Sequence, residues 1–101
     1  AMCRRSEVMA VGFKAQRGLR MPYRRQGLIY FTMVNYDSLP EKQKKRIDRL
    51  IAEAAGGDRA YINALRDWML HDDADVQRVS AEHYVSIQTL CRMRKKVFER
   101  W

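Results

Sequence analysis

The sequence predicts an all-α domain of four helices preceded by a basic arm, and three features of its 101 residues carry that prediction. From residue 38 onward, apolar residues recur at helical spacing in runs separated by cap and breaker residues. Residues 1–32 hold seven basic groups against one acid, Glu7, so +6 of the formal +8 lies in the first third. That third is interrupted by Gly12, Gly18, Pro22 and Gly27 and shows no clear helical period. The expected division is therefore a basic arm over 1–32 and a helical domain over 33–101. A hydrophobic content of 47% with 32% charged residues belongs to a soluble globular chain.

Each helix has its own start and stop signals. Ser38-Leu39-Pro40-Glu41 has the form of a capping box, with Pro40 in the first turn where it costs no hydrogen bond. Ile47, Leu50, Ile51 and Ala54 then form one stripe, and Gly56-Gly57 can end the helix in the left-handed region. Asp58 is the expected cap of a second helix, whose inner face is Tyr61, Ile62, Leu65, Trp68 and Met69. Asp72, Asp73 and Asp75 place negative charge at the start of a third, where the helix dipole favours it. Val76, Val79, Ser80 and His83 share one face of that short helix.

Tyr84-Val85-Ser86 then breaks the rhythm, and Ser86 is placed to cap a final helix through Trp101. On that helix Leu90, Met93, Val97 and Trp101 fall together with Phe98 beside them. Gln88, Arg92, Lys95, Lys96 and Glu99 fall opposite. A short helix, a tight turn and a longer helix with a basic outer face, over about 73–101, is the layout of a helix-turn-helix. The run VSAEHYVSIQTLCRMRKKV resembles that motif in bacterial and phage regulators. Its YVS-x-x-TL-x-R-x-R-K form is similar to the sigma region-4-like domains of small phage transcriptional regulators of the ArpU and RinA kind. The resemblance covers about the last 30 residues. It implies a small residue in the first helix, met by Ser80, and packing of the second through Leu90 and Met93. Two positions depart from the pattern: Tyr84 stands where a turn glycine is usual and His83 where a core leucine is usual, so a wider turn is expected.

The function expected from these features is sequence-specific binding of double-stranded DNA in transcriptional control of a phage or mobile element. Arg and Gln can make bidentate contacts with guanine and adenine edges, which makes Gln88 and Arg92 the base-reading candidates. Ser86, Lys95, Lys96, Arg24 and Arg25 are the phosphate candidates, since ammonium, guanidinium and hydroxyl groups there need carry no sequence information. A solvated helix face is the alternative reading of the same cations. Arg94 falls toward the packed side and is expected to pair with Glu82 or Asp67. The competing function is a non-enzymatic helical module that binds a protein such as RNA polymerase or a phage packaging component. It would expose apolar residues on α-helical surface where the DNA reading needs cations.

Other chemistries find little support. Cys3 and Cys91 lack the pairing of a zinc site or a disulfide framework, which places the chain in a reducing cytoplasm. His71 with Asp72, Asp73 and Asp75 lacks the glycine and terminal Glu of a calcium loop, so no metal or other cofactor is expected. Ser80 and His83 stand one turn apart without a third residue to orient them, and no enzymatic activity is expected. The apolar run Gly27–Val34 is far short of the ~20 residues a membrane span requires. The same run (Leu28, Ile29, Tyr30, Phe31, Val34) has strand-like composition. Such a strand would have to pack on the core or pair with a second copy, making a homodimer. Residues 2–32 are open to two readings, a native arm or an upstream extension joined by a misplaced start.

Overall fold

Five α-helices and no strand are found among the residues described by the computed structural model, which are residue 16, residues 18–72 and residues 74–101. They are α1 (Tyr23–Val34), α2 (Glu41–Ala54), α3 (Arg59–Met69), α4 (Val76–His83) and α5 (Ile87–Glu99), with a short 3-10 turn at Tyr36–Ser38. The four expected helices are α2 to α5. α1 is additional, and it corrects the strand expected over Leu28–Val34.

The reason α1 escapes a reading by composition lies in its buried stripe, Gln26, Ile29 and Met33. A glutamine at the head of that stripe conceals the apolar period. In the fold its amide is satisfied from outside the helix: Gln26 Oε1 accepts from the Gln16 backbone N–H at 2.9 Å, and Nε2 donates to the Met21 carbonyl at 2.9 Å. A buried amide with partners at both ends costs little. Leu19, Ile29 and Met33 then join the same core as Ile51, Leu65 and Leu90. The expected division at residue 32 thus falls inside α1, and no strand edge exists at Leu28–Val34 to join two copies. Tyr30 also ties α1 to the loop after α3, its hydroxyl donating to the carbonyl and carboxylate of Asp72.

The caps follow local chemistry with one exception. Asp58 Oδ1 accepts from Ala60 N at 2.9 Å, and Gly56 and Gly57 close α2 at φ +63° and +79°. Asp75 caps α4, accepting from Gln77 N at 3.1 Å, while Asp73 lies outside the described residues. The Ser38–Glu41 capping box does not form. Pro40 forces the residue before it out of the helical region, and Leu39 sits at φ −82°, ψ 153°, so α2 can begin only at Glu41. Ser38 instead closes the preceding turn, donating its N–H to Asn35 O at 2.9 Å.

α3 is the central element and packs against each of the other four helices. Its Ala64, Leu65 and Met69 are buried, facing Ile47 and Ile51 of α2, Val79 of α4 and Leu90, Val97 and Phe98 of α5 in one cluster. No described helix is long and apolar enough to cross a membrane.

Since Ile29 is among the most deeply buried side chains, Ile29→Ala should destabilise the fold by about 2–5 kcal/mol. Arg24→Ala, on the exposed first turn of the same helix, should stay within ~0.5 kcal/mol of the parent. Urea unfolding followed by circular dichroism measures both. Equal stability of the two variants would mean that α1 contributes nothing to the core.

Candidate functional site

The connection between α4 and α5 is three residues long and almost wholly satisfied by hydrogen bonds. α4 ends on Tyr84, which adopts the left-handed conformation at φ 56°, ψ 48°. The Tyr84 and Val85 N–H groups both donate to Ser80 O, the latter at 3.1 Å, and the Ser80 hydroxyl donates to Val85 O. Val85 is buried beneath the turn. The Ser86 N–H donates to the Tyr61 hydroxyl of α3 at 3.2 Å, while Ser86 Oγ accepts from Thr89 N at 3.3 Å and caps α5. Bonds of this kind on both sides of the turn hold α5 at one angle to α4.

α5 turns Leu90, Val97 and Phe98 inward and leaves Gln88, Arg92, Lys96 and Glu99 exposed. Both base-reading candidates and the Lys96 phosphate candidate therefore share an outward face whose one acid is Glu99. Lys95 is different. It is half-buried at the margin of that face, and its Nζ lies so near the Gly18 turn that a Cβ there would be 3.1 Å from it. Gly18 holds φ +75°, and the segment passing Lys95 is the one Gln26 fastens to α1. Arg24 and Arg25 are exposed in the first turn of α1. Ser86 is exposed as well, with its oxygen engaged by the cap.

Arg94 pairs with no acid among the described residues. Its guanidinium lies over the Trp68 ring, 4.2 Å from the centroid, and Nε has no hydrogen-bond partner among the described residues. Burial pushes its pKa down from the ordinary value. The acids expected to meet it are already engaged on the far side of α3: Arg78 bonds Glu82 at 2.8 Å and Asp67 at 3.4 Å, and His83 Nε2 donates to Asp67 Oδ2 at 3.0 Å. His71 Nδ1 donates to the Asp67 carbonyl at 2.8 Å. Asp67 thus fastens α4 to α3 immediately before the turn. The His83 hydrogen bond, with Arg78 beside it, holds the Asp67 carboxyl below its usual range against the opposing effect of partial burial.

Two features lie outside the residues singled out from the sequence. Tyr84 is 94% exposed and Ile87 38% exposed, so the tip of the turn carries an apolar pair next to Gln88. Cations on the outer face of α2 (Lys42, Lys45, Arg46, Arg49) form a second basic surface, legible as the run KQKKRIDR but not assignable to α5 without the fold. A cleft lined by Tyr36, Asp37, Arg66, Asp67, Leu70 and His71 encloses about 170 Å³, below the ~300 Å³ at which small-molecule sites begin. Within it the Tyr36 hydroxyl donates to Asp48 at 2.8 Å, and burial followed by that bond raises its pKa. Among the described residues no group of His, Cys, Asp and Glu is arranged to hold a metal ion.

Two consequences can be measured. The folded-state Asp67 carboxyl titrates below its unfolded value, so its stabilisation is complete above about pH 4 and lost as the pH falls through the lowered value. Asp67→Asn should lower the melting temperature at pH 7 and flatten its decline in acid; an acid limb identical to the parent's would show that Asp67 is not coupled to folding. Tyr84→Gly removes a left-handed strain of ~1–2 kcal/mol at a backbone entropy cost of ~0.5–1 kcal/mol. Its melting temperature should equal or slightly exceed the parent's, and a clear fall would mean that the Tyr84 ring supports the fold.

Compared with known protein families, with curated proteins and with solved structures, the chain shows no significant match to any, so the chemistry of this surface rests on its own residues.

Proposed function

We propose that the chain is a helix-turn-helix protein that binds double-stranded DNA in transcriptional control, with α4 and α5 as the two helices of the motif. The observation that carries this reading is the exposed face of α5, on which Gln88, Arg92 and Lys96 stand together behind a rigid, capped turn. In the major groove, an α-helix presenting Gln and Arg from its N-terminal half can meet adenine and guanine edges. Lys96, Ser86, Arg24 and Arg25 supply donors for phosphate, and Lys95 does so from the margin. Tyr84 takes the left-handed conformation that the usual turn glycine of such regulators adopts freely, which answers the departure at that position. The likeness to ArpU- and RinA-type phage regulators supports a role in a phage or mobile element, acting in the cytoplasm without a cofactor or enzymatic step. Two copies on adjacent half-sites would add to the small contact one motif makes.

A second reading is favoured by one observation, the exposed Tyr84 and Ile87 at the turn. On it, the tip docks on a protein such as RNA polymerase, and the cations of α5 are a solvated face.

Selection of bound sequences from a random duplex pool separates the two. The DNA reading expects an enriched motif. On the enriched duplex Arg92→Ala should cost about 1–3 kcal/mol and relax preference at one position, while Lys96→Ala should weaken all sequences about equally. If the pool yields no motif, or Arg92→Ala leaves the ratio of enriched to scrambled binding unchanged, α5 does not read bases.

A further inference from the structure

The outer face of α2 carries the densest group of cations among the described residues outside α5. Lys42, Lys45, Arg46 and Arg49 recur at i, i+3, i+4 and i+7, which puts them on one side of the helix, and all four are exposed. The inner side of the same helix is Ile47, Ile51 and Ala54. Of the three acids on α2, Asp48 is bonded by Arg66 and Tyr36, Glu53 pairs with Arg100 at 3.5 Å, and Glu41 stands in the first turn. Lys42, Lys45 and Arg49 have no ion pair among the described residues.

What gives this face a place in the site is its contact with the end of α5. Arg46 donates to the Trp101 carbonyl and lies over the Trp101 ring, 5.1 Å from the centroid. Seven residues on, Glu53 holds Arg100. These two clamps set α2 alongside the C-terminal end of α5. There, Arg92, Lys96 and Arg100, spaced i, i+4 and i+8, form a row of cations on the exposed side of α5. Arg46, one of the four α2 cations, bonds the residue that follows Arg100.

We infer that this α2 face is a phosphate-binding ridge that follows one strand of the duplex while α5 occupies the groove; the identity of its ligand rests on the duplex-binding reading above. A helix in the major groove has a phosphate backbone on each side, the groove being ~12 Å wide. One margin of α5 is supplied by Lys95 and by the segment leading to Arg24 and Arg25. The other is supplied by Lys96, Arg100 and the α2 ridge. From Lys42 to Arg49 the ridge runs about 10 Å at ~1.5 Å per residue, roughly the axial rise of three nucleotide steps at ~3.4 Å each. Cations without acid partners, on the side of a helix remote from any base edge, suit a ligand whose charge is dense and whose sequence is immaterial.

The test uses the full chain, its Lys42→Gln/Lys45→Gln/Arg49→Gln variant and Arg92→Ala, titrated by fluorescence anisotropy onto the enriched and a scrambled duplex at several salt concentrations. The triple variant should keep the parent's melting temperature and lose about two to three from the slope of log affinity against log salt, at ~0.9 per phosphate contact. Both duplexes should weaken equally. A slope equal to the parent's, with Arg92→Ala still losing sequence preference, overturns the ridge and leaves the α5 reading standing. A reduced slope with Arg92→Ala unchanged in preference upholds the ridge and overturns base reading by α5. Absence of duplex binding by the parent at low salt overturns both. Polyglutamate of matched charge competing as well as duplex would assign the face to an acidic protein and overturn the inference.

Discussion

The angle at which α5 leaves α4 depends on one residue held in the left-handed region, and much of the surrounding structure serves to keep it there. A tyrosine gains nothing from that conformation by itself. It is retained because the backbone on either side is already committed: Ser80 receives the N–H groups of Tyr84 and Val85 and returns its hydroxyl to Val85 O, and Tyr61 accepts from Ser86. Val85 is buried in the core below, and the Ser86 cap starts the next helix at once. With both ends tied, the turn cannot widen without breaking several bonds together. The direction of the exposed α5 face is therefore set by α3 and α4.

α3 supports this arrangement with opposite chemistry on its two flanks. On one flank Asp67 gathers Arg78 and His83 of α4 into a carboxylate-centred cluster, which is partly exposed and open to water and salt. On the other flank Trp68 receives the guanidinium of Arg94 on its ring face. A guanidinium is more weakly hydrated than an ammonium, so an arginine stacks on an indole at a smaller desolvation cost than a lysine would. Thus α4 is joined to α3 by ions beside the buried Val79, and α5 by aromatic stacking and apolar packing. The helix that presents the candidate surface is the one held less by charge.

Exposed positive charge stands on α1 and α2 as well as on α5. Lys95 lies against the N-terminal segment at Gly18, and Arg100 lies against α2 through Glu53; among the described acids, Asp48 is in an ion pair and Asp58 and Asp75 are in caps, while Glu99 stands on the exposed side of α5. A strongly basic balance of +8 says only that an anionic partner is favoured. The packing of Lys95 beside Gly18 and of Arg100 beside Glu53 is a property of the fold.

Helices α2 to α5, the caps Asp58 and Ser86, and the grouping of Gln88, Arg92 and Lys96 were determined by the sequence itself, because a 3.6-residue period and a cap three residues from its donor are local relations. The same locality misplaced the start of α2, where Pro40 outweighed the box that Ser38 and Glu41 spell. Tertiary structure decided the rest. α1 became a helix because Gln26 found partners in Gln16 and Met21 and could be buried. Arg94 stacked on Trp68 because Asp67 and Glu82 had been taken by α4. The end of α5 came to lie against α2, where Arg46 bonds Trp101 and Glu53 pairs with Arg100. Each of these depends on which distant side chains share a charge, an amide or a ring, and that is settled only when the helices pack.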